Sequence, residues 1–293
     1  MLNSSIKKID TPIMGGCINN GIIYLTAEGN KIFVKTNNKL GSDKMFNGEY
    51  EGLKAICNTN TIRAPVPYGL GYAEDGQYFI AMEFLEMTSL NLKSSVELGE
   101  KLANMHLYNL KSKEHPIKKF GFYVETCCGF LPQDNTWNEN WITFFCDCRL
   151  EYQIKLLQSK SNKCLKIQKI INDFWPRLKK IIPKFFEDIE IKPSLIHGDL
   201  WSGNAAQCAS KPVIYDPAVF YGHHEYDIAS TTLFGGYSKY FYDAYFKIIP
   251  KAQGFDNRML LYHLFHYLNH WNHFGEGYDI STINTFEELL KLY

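Results

Sequence analysis

The chain has 293 residues, with 31 lysines and arginines balanced by 31 aspartates and glutamates. That balance leaves no electrostatic footprint for non-specific nucleic-acid binding, and 45% hydrophobic with 15% aromatic residues excludes general disorder. The length allows a large core in one long domain or two ordinary ones, and no run of about 18 apolar residues offers a membrane span.

The first ninety residues read as strands around one helix. Asp10 to Leu25 holds two apolar stretches split by Gly15-Gly16-Cys17-Ile18-Asn19-Asn20-Gly21. Lys31-Ile32-Phe33-Val34-Lys35 alternates with the period of a strand after a Gly29-Asn30 turn. Ser42 or Asp43 can cap a helix that carries Glu49, Leu53 and Ile56 and ends near Cys57, before Ala64-Pro65-Val66-Pro67. Tyr68 to Tyr72 and Tyr78 to Phe84 predict two more strands, joined around Asp75-Gly76. Beyond them the pattern predicts helices over about 94–109, 141–157, 165–182, 226–234 and 255–271. Short apolar stretches at Ser194-Leu195-Ile196 and Val213-Ile214-Tyr215 each end at a turn bearing an aspartate. The expectation is an α+β chain of two adjoining lobes. Residues 1–86 form a small five-stranded lobe with one helix, and residues 87–293 a larger, mainly helical one.

The segment with the most chemistry is His197-Gly198-Asp199-Leu200-Trp201-Ser202-Gly203-Asn204. An aspartate followed five places later by an asparagine has the spacing of a phosphotransferase catalytic loop. Asp199 would point at the attacking hydroxyl, while Asn204 turns back toward a metal on the nucleotide phosphates. Twelve places on, Tyr215-Asp216-Pro217 follows an apolar stretch and supplies a second hard oxygen ligand, a set that suits Mg²⁺. In the small lobe, the 15–21 segment can lay backbone N–H groups over phosphates or be a plain glycine-rich hairpin turn. Lys35 ends the third strand, where a lysine would reach the phosphates of ATP. Its partner on the next helix is expected to be Glu49, with Glu51 as the fallback, since the two differ by about 200° around a helix. The joint Met82-Glu83-Phe84-Leu85 reads as a strand turning into a linker whose backbone could bond an adenine edge.

At these residues the sequence resembles the fructosamine kinase (ketosamine-3-kinase) family, of the aminoglycoside-phosphotransferase and protein-kinase-like fold. Further matching stretches are Thr126-Cys127-Cys128-Gly129-Phe130, Ile214-Tyr215-Asp216-Pro217-Ala218 and Asn269-His270-Trp271-Asn272-His273-Phe274-Gly275. The loop departs from many relatives in opening Met14-Gly15-Gly16, without a third glycine. The resemblance implies an ATP-dependent, Mg²⁺-using kinase that phosphorylates the 3-hydroxyl of ketosamines on free amines or protein lysines. The labile product then releases the amine. It further implies catalytic roles for Lys35, Glu49 and Asp199, metal ligation by Asn204 and Asp216, and nucleotide contacts from Gly15, Gly16, Cys17, Ile18, Asn19 and Met82 to Leu85. A kinase for another small hydroxyl compound, such as choline or an aminoglycoside, and a pseudokinase binding module are the alternatives. The second would lack a base, lysine or metal ligand, and all are present.

Four histidines, His263, His266, His270 and His273, fall at helical spacing, but one straight helix cannot surround an ion tetrahedrally. Sugar-pocket roles for Trp201, His270, Trp271 and His273 are the expectation. Glu225 and Asp227 are expected to brace the Asp216 loop and cap the following helix. None of the eight cysteines forms a C-x-x-C pair and Met1 to Lys8 lacks a signal-peptide stretch, so free thiols in the cytoplasm are expected. Cys17 either fits a turn or is a redox switch that could link two chains.

Overall fold

A computed structural model describes residues 6–9, 20–112, 116–161, 163–275 and 277–293. The expected phosphate-loop residues Gly15, Gly16, Cys17, Ile18 and Asn19 lie outside the described residues.

The N-terminal part is an antiparallel five-stranded sheet in the order β1-β2-β3-β5-β4. Its strands are β1 (Ile6–Ile9), β2 (Asn20–Thr26), β3 (Lys31–Asn37), β4 (Pro67–Tyr72) and β5 (Tyr78–Glu83). The first strand begins at Ile6, ahead of the stretch that the sequence pattern marked. One helix, α1 (Ser42–Asn58), packs on the sheet. It buries Met45, Phe46, Glu49, Leu53 and Ile56, residues three and four apart, as an amphipathic helix must.

After β6 (Met87–Thr88) the chain is mostly helical. Helix α2 (Leu92–Lys111) starts two residues earlier than its apolar pattern, because Asn91 and Ser94 form a reciprocal capping box with both bonds at 2.9 Å. A hairpin of β7 (Thr126–Cys128) and β8 (Leu131–Gln133) follows. Helices α3 (Trp141–Phe145) and α4 (Tyr152–Lys160) are joined by a π-helical turn at Cys146–Glu151. A second π turn, Ile170–Phe174, links α5 (Leu165–Lys169) to α6 (Trp175–Ile181). There Pro176 has no N–H for the helix ladder, and a wider turn accommodates the missing bond.

Next come β9 (Ser194–Ile196), β10 (Ala205–Cys208), β11 (Lys211–Ile214) and β12 (Phe220–Gly222). The closing helices are α7 (Glu225–Leu233), α8 (Lys239–Ile248), α9 (Phe255–Phe274) and α10 (Asp279–Leu289). Strand β10 bridges β11 and β6, so the segment leaving the small sheet is tied to the strand that directly follows Asn204. Helices α2 and α8 approach closely: a Cβ on Gly99 would sit 2.3 Å from the Phe241 carbonyl oxygen. The core runs through both parts, and among the described residues no helix is long and apolar enough to cross a membrane.

Candidate active site

Strand β9 delivers the chain into a tight loop at His197. Gly198 has φ +83°, and an added Cβ would lie 2.2 Å from the Ala218 carbonyl oxygen, so only glycine fits. This close approach packs the 197–199 loop against the 216–218 loop, and the Ala218 N–H donates to the His197 carbonyl at 2.8 Å. The buried His197 ring ties the two together. Its Nδ1 accepts the Asp199 N–H at 3.3 Å, and its Nε2–H donates to the Tyr215 carbonyl at 2.9 Å. Burial pushes the imidazole pKa down, which keeps the neutral form that this bonding needs.

The loop is held from below by Asp227 on α7. Its carboxylate accepts the N–H groups of His197 at 2.7 Å and Gly198 at 2.8 Å, and meets His106 Nε2 at 3.1 Å. This corrects the sequence reading: Asp227 braces the Asp199 loop, not the Asp216 loop. Glu225 is engaged elsewhere, paired through both oxygens with Arg258 at 2.7 and 2.8 Å. Neither side chain caps α7. Asp227→Asn puts an amide N–H against a backbone N–H, leaving a buried donor unsatisfied. The expected cost is about 1–3 kcal/mol, read as a lower Tm together with reduced turnover.

Above the loop, Lys35 on β3 reaches Glu49 of α1 at 2.6 Å and Asp216 at 2.5 Å. Glu51 turns away and pairs with Lys54. Burial opposes the Lys35 charge, but Asp216 and then Glu49 outweigh it and hold the ammonium above its ordinary pKa. Asp216 has φ +55°, a left-handed conformation that aspartate adopts at a cost of about 1 kcal/mol or more.

Asn204 closes the loop. Its Nδ2 donates to the Asp199 carbonyl at 2.8 Å and to Asp199 Oδ2 at 3.3 Å. The residue after β11 holds it in place, with the Tyr215 N–H on the Asn204 carbonyl at 3.1 Å. The Asp199 carboxyl is lifted to about 7, by burial first and the Asp216 charge second, against the nearby Cys128 thiol and the hydrogen bond from Asn204. Lys35, Glu49, Asp199, Asn204 and Asp216 are thus joined by direct contacts or strong electrostatic coupling. With Nδ2 engaged, Asn204 has its oxygen left to offer, and Asp216 keeps a second oxygen beyond the one on Lys35. Two hard oxygen donors of this kind fit a Mg²⁺ site.

The expected linker has a less open arrangement. Met82 is buried in the core. The Glu83 N–H already donates to the Val66 carbonyl, and its carboxylate pairs with Arg63 at 2.8 Å. Phe84 lies under the Lys31 ammonium, and Leu85 is buried.

The four substrate candidates separate into two places. Trp201 is 41% exposed and meets Phe234 edge-on, and Phe234 in turn stacks on His270 at 5.0 Å. Phe234 carried no signal in the sequence beyond being an aromatic residue at a helix end. Trp271 is instead buried and lines a cavity of about 690 Å³ with Lys160, Cys164 and Phe274. His273 is structural in its bonding: Nδ1–H donates to the Asn269 carbonyl and Nε2 accepts the Phe130 N–H. It holds the β7–β8 turn, where a Cβ on Gly129 would lie 2.7 Å from the ring. His263 turns to Thr232 and Ala229, and His266 is buried, so the four histidines do not converge.

Comparison with known proteins agrees with this geometry. The family model described as Fructosamine kinase matches residues 3–292. The mouse ketosamine-3-kinase is 42% identical over 295 residues, covering 94% of this chain and 93% of that protein. The chloroplastic protein-ribulosamine 3-kinase of Arabidopsis thaliana is 41% identical over 293 residues, covering 99% and 84%. A crystal structure from Thermobifida fusca, described as a candidate fructosamine-3-kinase, is 26% identical with a TM-score of 0.78, covering 98% and 93%. A thermostable mutant of the aminoglycoside phosphotransferase APH(4)-Ia shares the fold, with a TM-score of 0.62 at 11% identity over 99% and 94% of the chains. The two-lobed α+β architecture is therefore the protein-kinase-like one, and this chain belongs to the fructosamine kinase family.

Proposed function

We propose that this chain is an ATP-dependent kinase that phosphorylates the 3-hydroxyl of ketosamines, fructosamine or ribulosamine adducts of amines and protein lysines, and so initiates deglycation. The observation that carries the reading is the contact set Lys35–Glu49, Lys35–Asp216 and Asn204–Asp199 in a chain of this family. The proposed division falls at residue 86, between a nucleotide-binding lobe and a catalytic and substrate-binding lobe.

In this mechanism Asp199 orients the 3-hydroxyl and takes its proton on a carboxylate oxygen late in transfer. The transition state is loose, so positioning and charge stabilisation dominate. Lys35, kept charged by Glu49 and Asp216, neutralises phosphate charge. Asn204 and Asp216 would hold Mg²⁺, which when bound spreads the charge of the transferred phosphoryl group. Backbone N–H groups of residues 15–19 would cover the phosphates; β2 begins directly after them, and its Gly21 pairs with Lys35. The adenine edge would meet the backbone of the Glu83 to Leu85 linker, with Met82 behind it. Trp201 and His270, continued by Phe234, offer aromatic faces to the sugar or to the amine that bears it.

The seven cysteines among the described residues are free thiols, which supports a reducing compartment such as the cytoplasm. Whether Cys17 links two chains on oxidation is tested by peroxide treatment followed by non-reducing electrophoresis. A steady-state assay with ATP and Mg²⁺ tests the function. Turnover is expected on ribulose- or fructose-derived ketosamines, and at least about a hundredfold less on choline or aminoglycosides. The reverse preference would overturn the reading.

A further inference from the structure

The aromatic faces at Trp201 and His270 belong to a longer strip. Trp201 meets Phe234 with ring centres 6.4 Å apart, Phe234 stacks on His270 at 5.0 Å, and His270 meets Phe274 at 5.7 Å and Tyr278 at 4.9 Å. His270 and Phe274 are four residues apart on α9 and so stand on one face of it. Phe274, 63% exposed, is also a wall of the cavity of about 690 Å³ between the ends of α4 and α9 and the starts of α5 and α10. Leu157, Trp271 and Leu165 complete the apolar side of that cavity, and Leu165, 80% exposed, brings it to the surface.

Two ammonium groups border this surface without a carboxylate. Lys160 lines the cavity and donates to the Asn272 carbonyl, and Lys39 lies over the exposed Phe130 ring at 5.4 Å. The Phe130 N–H is in turn bonded to His273, the residue before Phe274. Among the described residues neither lysine has an acid within ion-pair distance, whereas Lys166, also on the cavity, is paired with Asp279. Exposed rings in one contiguous strip mark a binding surface, and a sugar, no larger than one side-chain ring, covers only its start. What extends past the sugar in an acceptor is the body of the amine that bears it. The uncompensated positive charge favours an anionic group there, and two lysines are too few to hold a phosphate backbone.

We propose that the strip and the cavity seat the polypeptide that carries the ketosamine. The sugar on its lysine sits at Trp201, the chain runs over Phe234 and His270, and a large apolar residue with an acidic neighbour enters beside Phe274, Trp271 and Lys160. The inference rests on the ketosamine kinase reading and adds the class of acceptor: segments of protein with an apolar and an acidic residue near the modified lysine, in preference to small free amines. The lengths agree. The three ring-to-ring steps from Trp201 to Phe274 are spanned by no more than about five residues of extended chain at about 3.3 Å each. Burial of one large apolar side chain is enough for a gain in affinity of about tenfold or more.

The test is steady-state kinetics with ATP and Mg²⁺ on three acceptors. One is acetylated ribuloselysine without a peptide. The second is a peptide with one ribulosamine-bearing lysine and a leucine–glutamate pair about five residues to either side. The third is the same peptide with serine and glutamine in place of each pair. The leucine–glutamate peptide is expected to exceed the other two acceptors in kcat/KM by at least about tenfold. Phe274→Ala and Leu165→Ser should each remove most of that gain, and Lys160→Gln about threefold of it through the lost charge. All three variants should keep kcat/KM on acetylated ribuloselysine within about twofold of the parent. Phe274 and Leu165 are exposed, so neither change empties the core. Equal kcat/KM on the two peptides, or losses that fall equally on acetylated ribuloselysine, would overturn the proposal. So would sedimentation showing a dimer that Phe274→Ala dissociates, because the strip would then seat a second copy of this chain. Turnover of acetylated ribuloselysine with no preference between the peptides sinks this inference alone, whereas no turnover on any of the three sinks the kinase reading beneath it.

Discussion

Replacing Asp199 by asparagine is expected to cost roughly a thousandfold in kcat while leaving ATP affinity intact, and to make the ligand-free protein more heat-resistant above neutral pH. The two outcomes share one cause. Burial and the Asp216 charge lift the Asp199 carboxyl to about 7, so the folded chain retains a proton that the unfolded chain releases near pH 4. Ionisation therefore removes stability as pH rises from about 4 through 7. Asparagine has no such titration. The Tm of the variant should exceed that of the parent at pH 8 by about 2 °C or more, and the gap should close below about pH 5. Scanning calorimetry of both proteins without nucleotide or metal reads this directly. An unchanged kcat would remove Asp199 from the mechanism, and a gap that widened toward acid pH would reverse the electrostatic account.

Asp216→Asn is the second large effect. Asparagine tolerates the left-handed backbone at this position about as well as aspartate, so the substitution isolates the charge from the conformation. It removes one of the two carboxylates on Lys35 and one proposed metal oxygen. Nucleotide affinity in the presence of Mg²⁺ should fall at least about tenfold and kcat about a hundredfold, with little change in binding measured without the metal. Titration calorimetry with and without Mg²⁺ separates the two. Equal affinity in both conditions would remove Asp216 as a ligand.

Much of this site is legible in the chain because its parts are local. The five-residue spacing from Asp199 to Asn204 and the Tyr215-Asp216-Pro217 turn are short-range facts, and the strand–helix order around Lys35 and Glu49 follows from periodicity. What the sequence hid depends on long-range packing. Asp227 reads in the sequence as a helix-start acid and a brace for the nearby Asp216 loop, because the two N–H groups it accepts lie about thirty residues upstream. The sequence hides helix α8 because Tyr240, Phe241, Tyr242, Tyr245 and Phe246, all strand-favouring by propensity, set local preference against the helical stripe of Phe241, Ala244 and Tyr245. The motif around 269–273 drew attention to its rings, Trp271 and His273. Its asparagines carry the inward contacts, Asn269 to Cys128 and Asn272 to Gln153.

The widened turn at Cys146–Glu151 sets the angular phase of everything after it on that helix. A regular α-helix advances about 100° per residue, so deleting a single residue there would swing Gln153 by more than a quarter revolution around the axis. It would leave the amide row of Asn269 and Asn272, and Arg149, now held by Asp134 and Asn135, would lose its seat between Phe144 and Phe220. A shortening that looks harmless on paper thus reaches Asn269 and Asn272 of α9, more than a hundred residues away in sequence, through the pitch of one helix.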